Sequence, residues 1–133
     1  MNNQEYEQNK EFKSAFPNTF AIGTDIESIE RFENKTQDDK FLKKIFTQKE
    51  IDYCLSKSKP AQHLCARFCA KEAITKALYS LNITGLGYSE IEILNTPSGI
   101  PYAKIEKHPD LNIKISLSHE NDKAIAFAII SQN

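Results

Sequence analysis

A chain of 133 residues, 40% hydrophobic and 26% charged, can bury one substantial core and has no room for a second. Its 17 Lys and Arg against 18 Asp and Glu give a formal net charge of -1, which argues against a general nucleic-acid binder. The first residues are polar and the apolar runs are short, so neither a signal peptide nor a membrane span is expected, and a cytoplasmic location follows.

Residues 1–18 read as a polar extension and residues 19–133 as a single domain. Residues 19–26 alternate around Gly23 as a short strand ending in an acidic turn. Asp25 and Glu27 stand two apart. If the strand runs through them their carboxylates share a side, whereas a helix beginning there makes Asp25 an N-cap. Residues 26–34, with Ile26, Ile29 and Phe32 apolar, fit a short amphipathic helix carrying Arg31. Thr47 and Glu50 have the spacing of a capping box and open a helix through Leu55. Cys54, Cys65 and Cys69 are too few for a disulfide framework. With His63 nearby a metal site is conceivable, yet no further cluster supplies ligands, so buried free thiols are the better reading.

The longest element is a predicted helix over residues 61–80, free of Gly and Pro and rich in Ala, Leu, Lys and Glu. Four-residue spacing stacks Phe68, Glu72 and Lys76 in one column and Arg67 and Lys71 in the next, so one acid is expected among three cations, with an ordinary solvated face of Glu/Lys pairs as the alternative reading. Beyond Gly85 and Gly87 the period changes from helix to strand. Ile91 and Ile93 alternate with acids, the stretch 96–99 turns, and residues 101–105 return as a hairpin. Residues 113–119 and 124–130 form the clearest hairpin, with Ser116 and Ser118 on one face and His119 at its mouth. The order predicts an α+β fold: a small antiparallel sheet against a long central helix, with shorter helices on the same side.

Asp25 at a strand end, Glu72 on a helix and Lys76 one turn further suit Mg²⁺ and a phosphate-bearing substrate. Two carboxylates leave coordination positions open, and the ammonium adds a point charge. The Gly-rich signatures of common ATP and NAD sites are absent from the sequence.

Ile22-Gly23-Thr24-Asp25-Ile26, Arg67-Phe68-Cys69-Ala70-Lys71-Glu72-Ala73 with Lys76, Gly99-Ile100-Pro101 and Ser116-Leu117-Ser118-His119 resemble, in order and spacing, the 4'-phosphopantetheinyl transferases. The length resembles their short holo-acyl-carrier-protein synthase class. The resemblance implies transfer of 4'-phosphopantetheine from coenzyme A to a serine of apo acyl carrier protein, releasing adenosine 3',5'-bisphosphate. It implies Mg²⁺ on Asp25 and Glu72, Lys76 beside the diphosphate, and Arg67, Lys71, Ser118, His119, Gly99 and Pro101 around coenzyme A. Arg31 falls on the carrier-docking helix. A homotrimer is implied, with His119 serving the site of a neighbour. Two departures stand out. Tyr79-Ser80-Leu81-Asn82 replaces a Gly-rich run, and Asp25-Ile26-Glu27 looks like the Asp-x-Glu of the longer transferases, which makes Glu27 a candidate third ligand. A non-catalytic module binding coenzyme A or carrier protein is the alternative.

Overall fold

The computed structural model describes residues 20–132. The polar extension predicted over residues 1–18 lies outside them. Strand β1 (Phe20–Ser28) leads into three short helices, α1 (Glu30–Glu33), α2 (Asp39–Ile45) and α3 (Gln48–Leu55), and then into the central helix α4 (Pro60–Ser80). A 3₁₀ turn at Tyr88–Glu90 precedes strands β2 (Glu92–Asn95), β3 (Pro101–Lys104), β4 (Leu111–His119) and β5 (Lys123–Gln132). The α+β expectation holds. The strands nevertheless divide into two antiparallel sheets, β1-β5-β4 and the separate hairpin β2-β3.

Strand β1 runs further than its sequence suggests. Ile26 pairs with Ile125 and Ser28 with Lys123, so residues 26–28 stay on the ladder and the predicted helix over 26–34 shrinks to the single turn of α1. The ladder supplies hydrogen bonds that an isolated helical turn cannot. Asp25 is therefore a strand residue and not an N-cap. The Thr47 capping box forms as predicted: the Thr47 hydroxyl accepts from the Glu50 amide, and the Glu50 carboxylate accepts from the Thr47 amide at 2.8 Å.

The sheet and α4 meet through small side chains. The inner row of β5 is Ala124, Ala126, Ala128 and Ile130, and the helix contributes Ala70, Ala73 and Ala77, all buried. Gly23 of β1 lies tightest of all. A Cβ built there would stand 1.9 Å from the Ala73 carbonyl oxygen, a backbone atom that cannot step aside. Cys54, Cys65 and Cys69 are buried free thiols, and Cys69 donates to the Ala124 carbonyl at 3.2 Å.

Helix α4 ends at Ser80 without glycine. Asn82 takes φ 60°, its amide bonds the Tyr79 carbonyl at 3.1 Å, and the Ile83 amide bonds the Leu78 carbonyl at 3.0 Å. This is the Schellman arrangement, with Asn in the left-handed position that Gly usually fills. Asn82 thus meets the backbone demand created by the missing Gly-rich run.

Replacing Gly23 with Ala must separate β1 from α4 or bend one of them. The Gly23→Ala variant is expected to lose about 3 kcal/mol or more in urea denaturation, the upper range for an overpacked core. A loss below about 0.5 kcal/mol would show that the close approach is not required.

Candidate active site

Because β1 continues to Ser28, Asp25 and Glu27 both project towards the inner face of the sheet. The Asp25 side chain is 11% exposed, and its Oδ1 accepts from the Lys76 Nζ at 3.1 Å. The same ammonium donates to the Thr24 carbonyl at 3.0 Å. Asp25 Oδ2 is buried and meets no donor among the described residues. Glu27 lies against Asp25 and is ion-paired with Arg31, four residues on. Burial, followed by the hydrogen bond and like charge of Asp25, pushes the Glu27 carboxyl above its ordinary 4.5, and Arg31 opposes that rise. The Arg31 guanidinium also sits over the Phe68 ring, 5.3 Å from its centroid.

Glu72 and Lys76 occupy successive turns of α4. Tyr88, on the 3₁₀ turn, donates its hydroxyl to Glu72 Oε1. The bond to Glu72, then burial, pushes the Tyr88 phenol up to about 12, so it stays a donor at neutral pH. Asp25, Glu72 and Lys76 thus come from the interior of a strand and one face of a helix, which the Gly23 contact holds together.

The expected cluster of one acid and three cations does not form. Lys71 is fully buried, and its Nζ donates to Glu50 Oε1, the Tyr88 carbonyl and the Ile91 carbonyl, each at 2.8 Å. Glu50 is equally buried, and its Oε2 accepts from the Ile93 amide at 3.1 Å. Burial draws the Lys71 ammonium below its usual range, opposed by Glu50. Lys71 therefore stands in the core of this fold, away from any surface where coenzyme A could reach it. Residues 64–71 are buried around the whole helix, because the sheet covers one side and α3 with β2 the other.

Arg67 is also buried, with its guanidinium 4.1 Å from the Tyr53 ring centroid and bonded to the Asn95 side chain. Asn95 in turn donates to the Gly99 carbonyl at 3.2 Å. Gly99 has φ 90°, a backbone that favours glycine, and Pro101 opens β3 directly beyond it. The chain from Arg67 through Asn95 to Gly99 gathers three of the predicted positions around one loop. Asn95 itself was not foreseen, since an Asn at a strand end reads as an ordinary turn residue.

Ser118 and His119 lie elsewhere. Ser118 faces Ile125 on the outer side of the sheet. The His119 imidazole is 2.6 Å from the side-chain amide of Gln62. Gln62 precedes Glu72 by ten residues, about 15 Å of helix. A single chain therefore keeps His119 apart from Glu72 and Lys76.

The donor set fits a hard divalent cation, since the orphaned Asp25 oxygen and the Glu72 carboxylate are both oxygen ligands on packed elements. Among the described residues no three His, Cys, Asp or Glu side chains form a ready-made cage, and Glu27 is ion-paired with Arg31. Such a pair leaves positions for water and substrate phosphate, as in enzymes that transfer phosphate-bearing groups.

Residues 21–128 match the 4'-phosphopantetheinyl transferase superfamily, and the chain belongs to that family. It is 40% identical over 120 residues to the holo-[acyl-carrier-protein] synthase of Protochlamydia amoebophila, covering 85% of this chain and 98% of that protein. It is 42% identical over 115 residues to the synthase of Thermodesulfovibrio yellowstonii, covering 84% and 97%. Among solved structures, a holo-(acyl-carrier-protein) synthase from Bacillus anthracis in complex with CoA (3',5'-ADP) superposes with a TM-score of 0.71 at 28% identity, over 85% of this chain and 96% of that one. The Helicobacter pylori synthase in complex with coenzyme A gives 0.71 at 30%, over 83% and 99%. Likeness along nearly the full length of named synthases supports a catalytic transferase over a non-catalytic module of the same fold.

Lys71→Met strands the Glu50 charge in the core and is expected to cost about 3–5 kcal/mol in urea denaturation. Adding Glu50→Gln removes the stranded charge and keeps an acceptor for one of the two amides, Thr47 or Ile93, so it should recover part of the loss. If Lys71 instead served coenzyme A at a surface, the single variant would keep its stability within about 0.5 kcal/mol and lose coenzyme A affinity.

Proposed function

We propose that this chain is a Mg²⁺-dependent holo-acyl-carrier-protein synthase, transferring 4'-phosphopantetheine from coenzyme A to a serine of apo acyl carrier protein and releasing adenosine 3',5'-bisphosphate. The observation that carries this reading is the buried, unpartnered Asp25 oxygen beside Lys76, one helical turn from Glu72, in a chain of this family. Among the described residues no helix is long and apolar enough to cross a membrane. A cytoplasmic role in fatty acid synthesis is part of the proposal.

Asp25 and Glu72 would hold Mg²⁺, which when bound neutralises charge on the coenzyme A diphosphate. Lys76, with its ammonium already bonded to Asp25, supplies a further positive charge to the phosphate oxygens as the transition state develops. Glu72 accepts the proton of the attacking serine hydroxyl. The serine oxygen bonds to the β-phosphorus, the bond from that phosphorus to the bridging oxygen breaks, and the nucleotide departs with the electron pair. Arg67, through Asn95, holds the Gly99 and Pro101 loop for the adenine end. Arg31 and Lys35 flank a groove of about 420 Å³ floored by Phe32, Phe41, Ile45 and Phe68, which suits an acidic amphipathic helix of the carrier.

The proposed assembly is a homotrimer with sites at subunit interfaces. The outer face of the sheet exposes Ile22, Ile26, Ile125, Phe127 and Ile129, a contiguous apolar surface unusual for a monomer. Ser118 lies on that face, and the separation of His119 from Glu72 favours completion of each site by a neighbour. Phe127→Glu is therefore expected to yield monomers by native mass spectrometry together with loss of transfer. Retention of the wild-type mass by this variant would refute the proposed interface.

The central experiment is intact mass spectrometry of apo acyl carrier protein incubated with the protein, coenzyme A and Mg²⁺. The carrier is expected to gain one phosphopantetheine, and to gain none with Glu72→Ala or with a chelator. Coenzyme A binding without transfer to several carriers would instead favour the non-catalytic module.

A further inference from the structure

Tyr88 touches α4 at two consecutive residues, one buried in the core and one half-buried beside it. Its backbone carbonyl accepts from the buried Lys71 ammonium at 2.8 Å, while its hydroxyl donates to Glu72 Oε1. Lys71 is itself fixed by Glu50, so the Tyr88 backbone is anchored to a fully buried ion pair. The ring is held as well, packing 5.3 Å from Phe68 at an interplanar angle of 53°, and Arg31 also lies over the Phe68 ring. Backbone and ring are thus both restrained, and the remaining freedom of the side chain ends on Glu72. Among the described residues Tyr88 is the one hydrogen-bond donor to that carboxylate.

We infer that Tyr88 is a positioning residue, whose hydroxyl commits Glu72 Oε1 and thereby fixes the direction in which Oε2 is presented to a divalent cation. This rests on the proposed role of Glu72. The physical reason is general. A carboxylate on a flexible Glu side chain loses rotational freedom when it binds a cation, and a hydrogen bond made beforehand removes part of that cost. Groups that orient a metal-binding side chain typically change metal affinity or activity by about 10- to 100-fold when removed. Phe68 cannot perform this task, having no donor, and Lys76 is engaged with Asp25 and Thr24.

Tyr88→Phe removes the hydroxyl and keeps the ring, so the fold and the Lys71 bond to the backbone carbonyl should survive. Mn²⁺ binding to the protein–coenzyme A complex, followed by electron paramagnetic resonance, is expected to weaken about 10-fold or more. The thermal midpoint should stay close to wild type, and kcat should fall with little change in the KM for coenzyme A. In a Glu72→Gln background the same substitution should have no further effect on Mn²⁺ binding, because the hydroxyl acts through Glu72. Mn²⁺ affinity and kcat both within twofold of wild type would overturn the inference while leaving the proposed transferase intact. A wild-type protein that binds Mn²⁺ no better than Glu72→Ala would remove the role of Glu72, and the inference would fall with it.

Discussion

Everything at the site depends on how closely one strand lies on one helix. At residue 23 no side chain stands between β1 and the Ala73 carbonyl, and over much of the remaining contact the sheet and helix meet through alanines. Two residues beyond Gly23 comes Asp25, and three beyond Ala73 comes Lys76, so the close approach sets the distance at which carboxylate and ammonium meet. A glycine that reads as part of a ligand-binding motif here acts through packing. Its φ is ordinary, and what it provides is space.

The second organising interaction is the Lys71–Glu50 pair. Buried ion pairs rarely add net stability, but this one is fully satisfied: Lys71 uses three acceptors, and Glu50 receives the Thr47 and Ile93 amides as well as Lys71. It joins α3, α4, the 3₁₀ turn and the start of β2 at one point. Removing any partner leaves a charge or a backbone group without compensation in a dry interior.

Much of this was legible in the sequence because its signals are local. The Thr47 capping box, the α4 period and the β4–β5 hairpin each lie within a few residues of chain, and all three formed. What was not legible depends on contacts between distant residues. Lys71 has the same spacing from Glu72 and Arg67 whether it faces water or the core, and only Glu50, 21 residues away, decides between them. Glu50 was visible solely as a capping residue. Tyr88 follows Gly87 in a stretch without period, so nothing local links it to Glu72. The end of β1 was misjudged for a related reason, since Ile26, Ile29 and Phe32 satisfy a helical period and the pairing of residues 26–28 with β5 is invisible to it.

Helix α4 touches β1, β2, β4, β5, α1 and α3. A helix so placed cannot peel away without opening every layer around it, so its middle turns should exchange their amide hydrogens only when the whole molecule unfolds. Glu72 and Lys76 ride on that most durable segment, and Asp25 on a strand bonded along its length. The carboxylate geometry then persists on the timescale of global unfolding, far longer than a catalytic cycle, and motion needed to admit a carrier protein or release a nucleotide must come from the loops around it.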